Sequence, residues 1–274
     1  MEWKKILPAL SLIGMAACKT AQSDKSHANT QNPYSHGLTL DGKLYGAVWQ
    51  QRAAEYKALC EQAFNVASDR LMIALKENTD NRPKAVVTDI DETFLDNSPN
   101  SVKQTQKGKG YEQKSWEEWT AKAMADTLWG AYQFYNLAKQ NDVEVFYITN
   151  RGNSERAGTL KNLQKFGFPY ADETHLITRE GSSSKETRRK TVASKYDILL
   201  FCGDNLADFS DMFDKKTEAE RSKNVANLHA LFGRKFIVLP NVVYGDWEGA
   251  LFNYNYKYSL PQQDSIYYHA AKSE

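Results

Sequence analysis

Two aspartates lie where a short apolar segment of the chain ends. Residues Ala85 to Thr88 predict a buried β-strand, and Asp89 and Asp91 follow it directly. In an open parallel sheet, ligands bind in the crevice outside the carboxyl ends of the strands. A pair of carboxylates at that edge is therefore placed for chemistry on a bound ligand.

Calcium binding, capping of a turn and a buried ion pair are the alternatives to catalysis for these two aspartates. A calcium-binding loop has the pattern D-x-D-x-D-G, followed by a distant bidentate Glu. Thr93 and Phe94 occupy the fifth and sixth positions here, which excludes such a loop. A solvated turn, in which an Asp side chain caps the next element, and a buried ion pair both stay open.

Polar residues follow three further apolar segments in the same way. These segments are residues 143–148, 198–201 and 236–239, and they lead into Thr149-Asn150-Arg151, Gly203-Asp204-Asn205-Leu206-Ala207-Asp208 and the stretch from Pro240 to Trp247. Helical spacing of apolar residues occupies about 44–76, 128–140, 154–166 and 185–195. Strands that alternate with helices predict an α/β fold with a parallel sheet, in which the four polar clusters would meet.

Two of the predicted helices carry residues whose use is ambiguous. Ser115-Trp116-Glu117-Glu118 has the pattern of a capping box and predicts a helix that begins at Ser115. Trp116 and Trp119 would share a face of it, as part of the core or as a wall of a substrate pocket. On the helix over 185–195, we expect Arg189 and Lys190 to lie on a solvated face.

Where the strand ends meet, four carboxylates would lie beside one hydroxyl and one ammonium. The carboxylates belong to Asp89, Asp91, Asp204 and Asp208, the hydroxyl to Thr149, and the ammonium to a lysine of a nearby helix. Four acids repel one another unless a cation sits among them. Oxygen ligands without His or Cys favour a hard ion, Mg²⁺ above all, and protein-bound Mg²⁺ commonly contacts a phosphate of the substrate. The cluster therefore predicts a magnesium site that accepts phosphate.

The size of the barrier indicates how such a site would work. Hydrolysis of a phosphate monoester needs an acceleration of up to roughly 10²¹-fold, whereas general acid–base catalysis supplies about 10²–10⁴-fold. A carboxylate nucleophile and strong neutralisation of charge would have to supply the rest. In the D-x-D pair, one aspartate would attack phosphorus and the other would protonate the leaving oxygen.

The composition limits the class of protein. The 274 residues carry a net charge of +1, which argues against a nucleic-acid-binding protein, because that class needs a strong basic excess. The length suits one large domain or a core with an inserted cap. Two cysteines, Cys60 and Cys202, give no disulfide framework, and we expect Cys202 to be a small buried residue in preference to one half of a disulfide.

The N-terminus has the pattern of an export signal. A lysine-bearing start precedes an apolar run over residues 6–17 that is too short to span a bilayer. Met15-Ala16-Ala17-Cys18 resembles a bacterial lipobox, although Leu is usual where Met15 stands. We expect a signal peptide over 1–17, a lipid on Cys18, a flexible tether over 18–37 and a folded domain over 38–274.

The ordered motifs resemble those of the haloacid dehalogenase (HAD) superfamily, and within it the class C acid phosphatases, a family of bacterial lipoprotein 5′-nucleotidases. The resemblance covers nearly all of the chain after the signal. It is carried by the stretches Asp89-Ile90-Asp91-Glu92-Thr93-Phe94-Leu95-Asp96-Asn97-Ser98, Phe146-Tyr147-Ile148-Thr149-Asn150-Arg151, Gly203-Asp204-Asn205-Leu206-Ala207-Asp208-Phe209 and Pro240-Asn241 with Tyr244-Gly245-Asp246-Trp247-Glu248.

The resemblance implies a Rossmann-like core of HAD type with a helical cap, which we place at about 38–80 and 97–141. It also implies a role for each matching residue. Asp89 would be the nucleophile that becomes aspartyl phosphate, and Asp91 the acid that protonates the leaving group. Mg²⁺ would be held by Asp89, Asp204 and the backbone carbonyl of Asp91, supported by Asp208, while Thr149, Asn150 and Lys185 would bind the phosphate.

The remaining implications concern substrate and location. The family suggests nucleoside monophosphates as substrates, a homodimer, and anchoring to the cell envelope, with the outer membrane as the expected site. Tyr244 and Trp116 or Trp119 would stack on the base. The chain departs from the family pattern at Thr149, where Ser is usual, and at Asn100, where an aromatic is common. Lys190 and Lys195 compete with Lys185 for the phosphate-binding role.

Two alternative functions stay open on the sequence. A surface lipoprotein could bind a ligand such as haem with its aromatic-rich cap. A phosphotransferase would use the same acids but pass the phosphoryl group to an alcohol in place of water.

Overall fold

The computed structural model describes residues 35–273 of the chain. The expected signal peptide, the lipid site at Cys18 and the tether up to residue 34 lie outside the described residues. Within residues 35–273, no helix is both long enough and apolar enough to cross a membrane.

Five parallel strands form the central sheet, and two short antiparallel strands form a separate ribbon. In chain order the strands are β1 Lys84–Thr88, β2 Leu95–Asp96, β3 Asp126–Thr127, β4 Val143–Gly152, β5 Leu176–Arg179, β6 Asp197–Gly203 and β7 Phe236–Val238. The order across the sheet is β5-β4-β1-β6-β7, and β2 pairs with β3. The predicted α/β fold with a parallel sheet is confirmed, and each predicted strand is present.

Ten α-helices accompany these strands among residues 35–273. They are α1 Leu38–Arg52, α2 Ala54–Glu77, α3 Ser98–Thr105, α4 Gln113–Ala121, α5 Ala131–Gln140, α6 Arg156–Lys165, α7 Glu186–Ala193, α8 Glu218–Asn227, α9 Asp246–Leu251 and α10 Leu260–Ala270. The prediction that a helix begins at Ser115 is wrong, because α4 begins at Gln113 and Ser115 lies buried in its first turn.

Strand β1 lies at the centre of the sheet, between β4 and β6, and its residues are buried on both faces. Val86 packs into the larger core, together with Phe64 of α2 and Phe134 of α5. Ala85 and Val87 point to the opposite face, where a smaller cluster covers them. A strand covered on both faces reads in sequence as a continuous apolar run, which is why this one could be recognised.

The chain reverses its direction of growth across the sheet at β1. After β1 it adds β4 and β5 on one side, then returns to add β6 and β7 on the other. Such a reversal leaves a crevice at the carboxyl ends of the central strands, which is where ligands bind in open α/β sheets. Asp89 and Asp204 directly follow β1 and β6, and Thr149 lies near the carboxyl end of β4, so the three residues border this crevice.

The helices divide between the sheet and the space in front of it. Of the segments expected to form a cap, α2 and α5 pack against the sheet and bury Phe64, Leu71 and Tyr135 in the main core. Helices α1, α3, α4 and α10 contribute residues to the wall of a cavity above the crevice.

Candidate active site

Three carboxylates and one ammonium form the centre of the crevice. One oxygen from each of Asp89, Asp204 and Asp208 lies within 4.8 Å of the others. Lys185 lies at the start of α7, and its Nζ is 2.7 Å from Asp208 Oδ1 and also pairs with Asp89. The Lys185 side chain is 6% exposed, so the pairs are shielded from water.

The charges of this cluster do not balance within the protein. Burial raises the pKa of Asp89, and the carboxylates of Asp208 and Asp91 raise it further, although Lys185 lowers it. Burial also raises the pKa of Asp204, with Asp208 and Asp89 adding to the effect. Although burial opposes the charge on Lys185, the nearby Asp208 and Asp89 raise its pKa, so it stays an ammonium. One ammonium among three carboxylates leaves an excess negative charge that protons or a bound cation would have to neutralise.

The ligand atoms available here suit a hard divalent cation. Asp89, Asp204 and Asp208 offer carboxylate oxygens, and the cluster contains neither His nor Cys. Oxygen ligands of this kind bind Mg²⁺, Mn²⁺ or Ca²⁺ in preference to softer ions. The residues therefore fit a divalent metal site of the type that the sequence predicts.

Close approach of the backbone positions the acidic residues after β6. A Cβ added at Gly203 would lie 2.6 Å from Asp208 Oδ2, so a glycine is needed for Asp208 to fold back onto the strand end. Asp208 Oδ2 accepts a hydrogen bond from the Asn205 N–H at 3.0 Å. Asp204 in turn accepts from Asn241 Nδ2 at 2.8 Å and from the Thr93 hydroxyl at 3.1 Å. Neutral donors thus hold both carboxylates, and Asp208 Oδ1 also pairs with the ammonium of Lys185.

Asp91 has a separate set of partners, dominated by Arg151. Arg151 Nη2 donates to Asp91 Oδ1 at 2.7 Å, and Arg151 Nε donates to Oδ1 at 3.0 Å and to Oδ2 at 3.2 Å. Asn97 Nδ2 donates to the same Oδ1 at 2.8 Å, and Trp119 Nε1 fixes Asn97 by donating to its Oδ1 at 2.8 Å. The carboxylate of Asp91 is therefore fixed in position, and it is 14% exposed towards the cavity.

The end of β4 supplies the predicted hydroxyl. Thr149 is buried, and its hydroxyl donates to Asp91 Oδ2 at 3.3 Å while accepting from the Arg151 N–H at 3.1 Å. Asn150 is exposed, and its Oδ1 accepts from Arg188 Nη2 at 2.6 Å. Arg188 also donates to the Thr149 carbonyl oxygen at 2.6 Å, so this arginine joins α7 to the end of β4.

Tyr244 is placed by a buried glutamate. Its hydroxyl donates to Glu92 Oε2, and Glu92 Oε1 accepts from the Asn97 N–H at 2.8 Å. Burial raises the pKa of Glu92 to about 8, and the carboxylate of Asp91 contributes to this rise. Glu92 has a φ of 56°, a left-handed conformation that few residues other than glycine adopt and that turns the chain after Asp91.

A cavity of about 990 Å³ extends from the acidic cluster to the helices in front of the sheet. Its lining includes Asp89, Asp91 and Lys185, and also Trp116, Tyr244 and residues of α3. Trp116 lies over the guanidinium of Arg151, at 5.7 Å from ring centroid to Cζ. The volume is at the upper end of the range for small-molecule sites, which reach about 1,000 Å³.

The structure brings together most of the residues that the sequence selected. Asp89, Asp91, Asp204, Asp208, Thr149 and Lys185 converge on the crevice, and Asn150 and Tyr244 line the same cavity. Lys190 and Lys195, the other candidates for the phosphate-binding lysine, are exposed. Cys18 lies outside the described residues.

Some sequence-based assignments missed or misplaced residues of the site. The prediction of a solvated face for Arg189 is wrong: the side chain is buried and donates to the carbonyl oxygens of Ala207 and Asp208. Lys190 does lie on the solvated face. The contacts of Arg151 and Asn97 with Asp91, and of Glu92 with Tyr244, were not foreseen, although all three residues belong to the motif stretches.

Comparisons with known proteins agree with this geometry. The family model described as "HAD superfamily, subfamily IIIB (Acid phosphatase)" matches residues 12–247. The crystal structure of the class C acid phosphatase from Bacillus anthracis with tungstate bound is 40% identical, with a TM-score of 0.83, over 86% of this chain and 99% of that one. A second structure of that phosphatase is 39% identical, with the same TM-score, over 86% of this chain and 100% of that one.

A curated plant protein is a more distant relative. The stem 31 kDa glycoprotein of Glycine max is 26% identical over 165 residues, which are 58% of this chain. The match spans 62% of that glycoprotein, less than two thirds of its length.

Proposed function

Because this chain belongs to the acid phosphatase family, subfamily IIIB of the HAD superfamily, we propose that it is a magnesium-dependent 5′-nucleotidase that works through an aspartyl phosphate. The family and its class C structural relatives make the chain a phosphomonoesterase of small phosphate esters. The observation that carries the finer proposal is the buried Lys185, held between Asp89 and Asp208 beside a cavity large enough for a nucleotide.

In the proposed first step, Asp89 attacks the phosphorus atom of the ester. The new bond joins a carboxylate oxygen of Asp89 to phosphorus, and the bond from phosphorus to the ester oxygen breaks. Asp91, protonated when the substrate binds, gives that proton to the leaving oxygen, which departs as an alcohol, and Asp91 becomes the carboxylate that pairs with Arg151. The ammonium of Lys185 lies against Asp89, so it would neutralise charge on the phosphoryl oxygens as they gather there.

In the second step, water releases the phosphate from Asp89. Asp91, now ionised, takes a proton from the water molecule while the water oxygen attacks phosphorus. The bond between phosphorus and the Asp89 carboxylate oxygen then breaks. The three hydrogen bonds from Arg151 keep the Asp91 carboxylate in one place for both transfers. We expect the Thr149 hydroxyl, which lies 3.3 Å from Asp91 Oδ2, to donate to a phosphoryl oxygen when the substrate is bound.

Asp89, Asp204 and Asp208 would hold the magnesium ion, with the backbone carbonyl of Asp91 as a further ligand. When bound, the ion would supply positive charge to the phosphate and lower the repulsion between carboxylates. This proposal is supported by the oxygen-only set of ligands and by the excess of negative charge around Lys185. Tungstate, which is bound in the Bacillus anthracis structure, is an oxyanion like phosphate, which supports binding of a phosphate group by this chain.

The cavity supports a nucleotide as the substrate. With the phosphate at Asp89, the organic part of the ester would occupy the part of the cavity lined by Trp116 and Tyr244. Aromatic rings stack on any nucleobase because every base has a π-face, so we expect several nucleoside monophosphates to be accepted. We further propose that the protein is exported and anchored to the bacterial cell envelope by a lipid on Cys18, and that it acts as a homodimer.

The test is a phosphate-release assay with and without Mg²⁺. Purified protein is given adenosine 5′-phosphate or phenyl phosphate in the presence of Mg²⁺ or a chelator, and Asp89→Asn is compared with Asp69→Asn, a change at an exposed carboxylate of α2. We expect release that depends on Mg²⁺ and favours the nucleotide, loss of at least about 1,000-fold in Asp89→Asn, and no change in Asp69→Asn. Full activity of Asp89→Asn would refute the mechanism, and activity on phenyl phosphate alone would refute the nucleotide assignment.

A phosphotransferase would share the aspartyl phosphate, so the products must be separated. Adding glycerol to the same assay and measuring glycerol phosphate beside free phosphate distinguishes transfer from hydrolysis. We expect free phosphate to account for nearly all of the product.

A further inference from the structure

Unpaired polar atoms are concentrated in residues that line the active-site cavity. Among residues 35–273, four buried side-chain atoms have no hydrogen-bond partner: Tyr56 Oη, Gln104 Nε2, Gln104 Oε1 and Glu155 Oε1. Gln104 and Glu155 are both residues of the cavity lining, but the three unpaired atoms are themselves buried and do not reach its surface. Because buried polar groups are almost always paired, these exceptions need a physical cause, and a ligand that pairs with them on binding is one.

Gln104 is the strongest of these cases because both ends of its amide are unpaired. Its side chain lies on α3, and the residue is 4% exposed. An unpaired buried amide costs the protein free energy, which an apolar residue of the same shape would avoid. The sequence therefore retains at this position a group that folding alone does not use.

The backbone holds Gln104 in a fixed position. Its carbonyl oxygen accepts hydrogen bonds from the N–H groups of Lys107 and Lys109, both at 3.0 Å. Helix α3 also begins with Pro99 in its first turn, which suits a helix start. With the backbone fixed, the amide can adjust only by rotation of the side chain, and its terminal torsion has a broad range.

The part of the cavity wall that α3 forms is neutral and polar. Asn100, Ser101 and Thr105 of α3 line the cavity beside Gln104. These neutral groups make hydrogen bonds in place of aromatic contacts. If the phosphate lies at Asp89 and Lys185, the α3 wall is left to contact the organic part of the ester.

We propose that Gln104 determines specificity by forming a pair of hydrogen bonds with adjacent donor and acceptor groups on the leaving group of the ester. The side chain would rotate to bring the buried amide to the cavity surface, where its oxygen accepts from one group and its nitrogen donates to the other. The edge of a nucleobase and the vicinal hydroxyls of a ribose both offer such a pair. This inference rests on the proposed nucleotidase function and names the side chain that would read its substrate.

The test replaces Gln104 with Met, which keeps the length of the side chain and removes both polar atoms. Steady-state kinetics are measured on adenosine 5′-phosphate, ribose 5-phosphate and phenyl phosphate, whose ring carries no donor or acceptor. Gln106→Met, a change at an exposed glutamine just after α3, serves as the matched control. We expect KM for the nucleotide to rise about 10-fold in Gln104→Met with kcat little changed, as for loss of two ordinary hydrogen bonds.

The other substrates identify the partner of the amide. An equal rise in KM for ribose 5-phosphate would assign the contact to the hydroxyls, and an unchanged value would assign it to the base. KM for phenyl phosphate should change less than twofold. An equal change for all three substrates, or for none, would overturn the proposal.

A stability measurement separates recognition from a structural role. The melting temperature of the ligand-free Gln104→Met protein should equal or exceed that of the wild type, because an unpaired amide has been removed from a buried site. A clear fall would show that the amide stabilises the fold and would count against the proposal. If the wild type hydrolyses ribose 5-phosphate and phenyl phosphate but not the nucleotide, the nucleotidase assignment fails, while these two esters still test Gln104. Hydrolysis of phenyl phosphate alone would overturn both.

Discussion

Arg151 should be the most sensitive position of the site outside the acidic cluster. Its side chain is 1% exposed, and it is paired with Asp91, which is 14% exposed. Substituting Arg151 with Met removes three hydrogen bonds to Asp91, one to the Thr159 hydroxyl, one to Asn97 Oδ1 and the positive charge, while an unbranched side chain still fills much of the space. The carboxylate would then rely on Asn97 and Thr149.

The expected loss of stability follows from the burial of the pair. Removing one partner of a buried ion pair costs about 3–5 kcal/mol, because the other charge is left without compensation. Asp91 faces the cavity and can gain some water, so we expect the lower end of that range, about 3 kcal/mol. Arg151→Lys should lose less, since it keeps the charge but not the planar fork that binds a carboxylate through two nitrogens.

Urea unfolding and steady-state kinetics together test this reasoning. We expect Arg151→Met to lower the free energy of unfolding by about 3 kcal/mol, and kcat/KM to fall about 10- to 100-fold on every ester, because Asp91 loses its fixed orientation. Lys190→Met, a change at a lysine whose side chain is 72% exposed, should alter both quantities little. An Arg151→Met protein within about 1 kcal/mol of the wild type, with kcat/KM unchanged, would show that the pair neither stabilises the fold nor positions Asp91.

Two further predictions concern stability. The folded-state pKa values of Asp89, Asp204 and Glu92 lie above their unfolded values, so their contribution to stability is complete near pH 4 and is lost as pH rises through the folded values, about 8 for Glu92. The melting temperature of chelator-treated protein should therefore be lower at pH 8 than at pH 5, and added Mg²⁺ should reduce the difference. A higher melting temperature at pH 8 without metal would contradict the assignment. In Gly158→Ala, the new Cβ would lie 2.4 Å from the Thr120 carbonyl oxygen of α4. We therefore expect α4 to be displaced and the free energy of unfolding to fall by about 1–3 kcal/mol, despite the better helix propensity of Ala. Equal or greater stability in urea would show that α4 can move without cost.

The sheet and the acidic cluster could be predicted because short stretches of the sequence indicate both. Strands covered on two faces appear as continuous apolar runs, and the acids follow them within a few residues. Helix α3 was missed because Ser98–Thr105 contains few apolar residues and gives little helical periodicity. Its first turn, with Pro99 after Ser98, was the signal that could have revealed it.

Contacts between distant parts of the chain could not be predicted in the same way. Arg189 resembles a surface residue of a charged helix, and it is buried because the carbonyl oxygens after β6 lie within reach. Arg151 and Asp91 are 60 residues apart and meet because β1 and β4 are parallel neighbours. The motifs identified which residues matter, whereas the pairing of the strands decides which of them interact.

The distribution of charge in the cavity separates catalysis from recognition. Charged side chains crowd the carboxyl ends of β1, β4 and β6, whereas the wall formed by α3 is neutral and polar. A change at the charged end acts on the phosphoryl group that all substrates share, so Arg151→Met should lower kcat/KM on phenyl phosphate as much as on a nucleotide. A change on α3 acts on the leaving group, so Gln104→Met should raise KM for the nucleotide alone or for the nucleotide and ribose 5-phosphate. If Gln104→Met instead reduced kcat on phenyl phosphate, α3 would have to position the catalytic carboxylates, and this division of the cavity would be wrong.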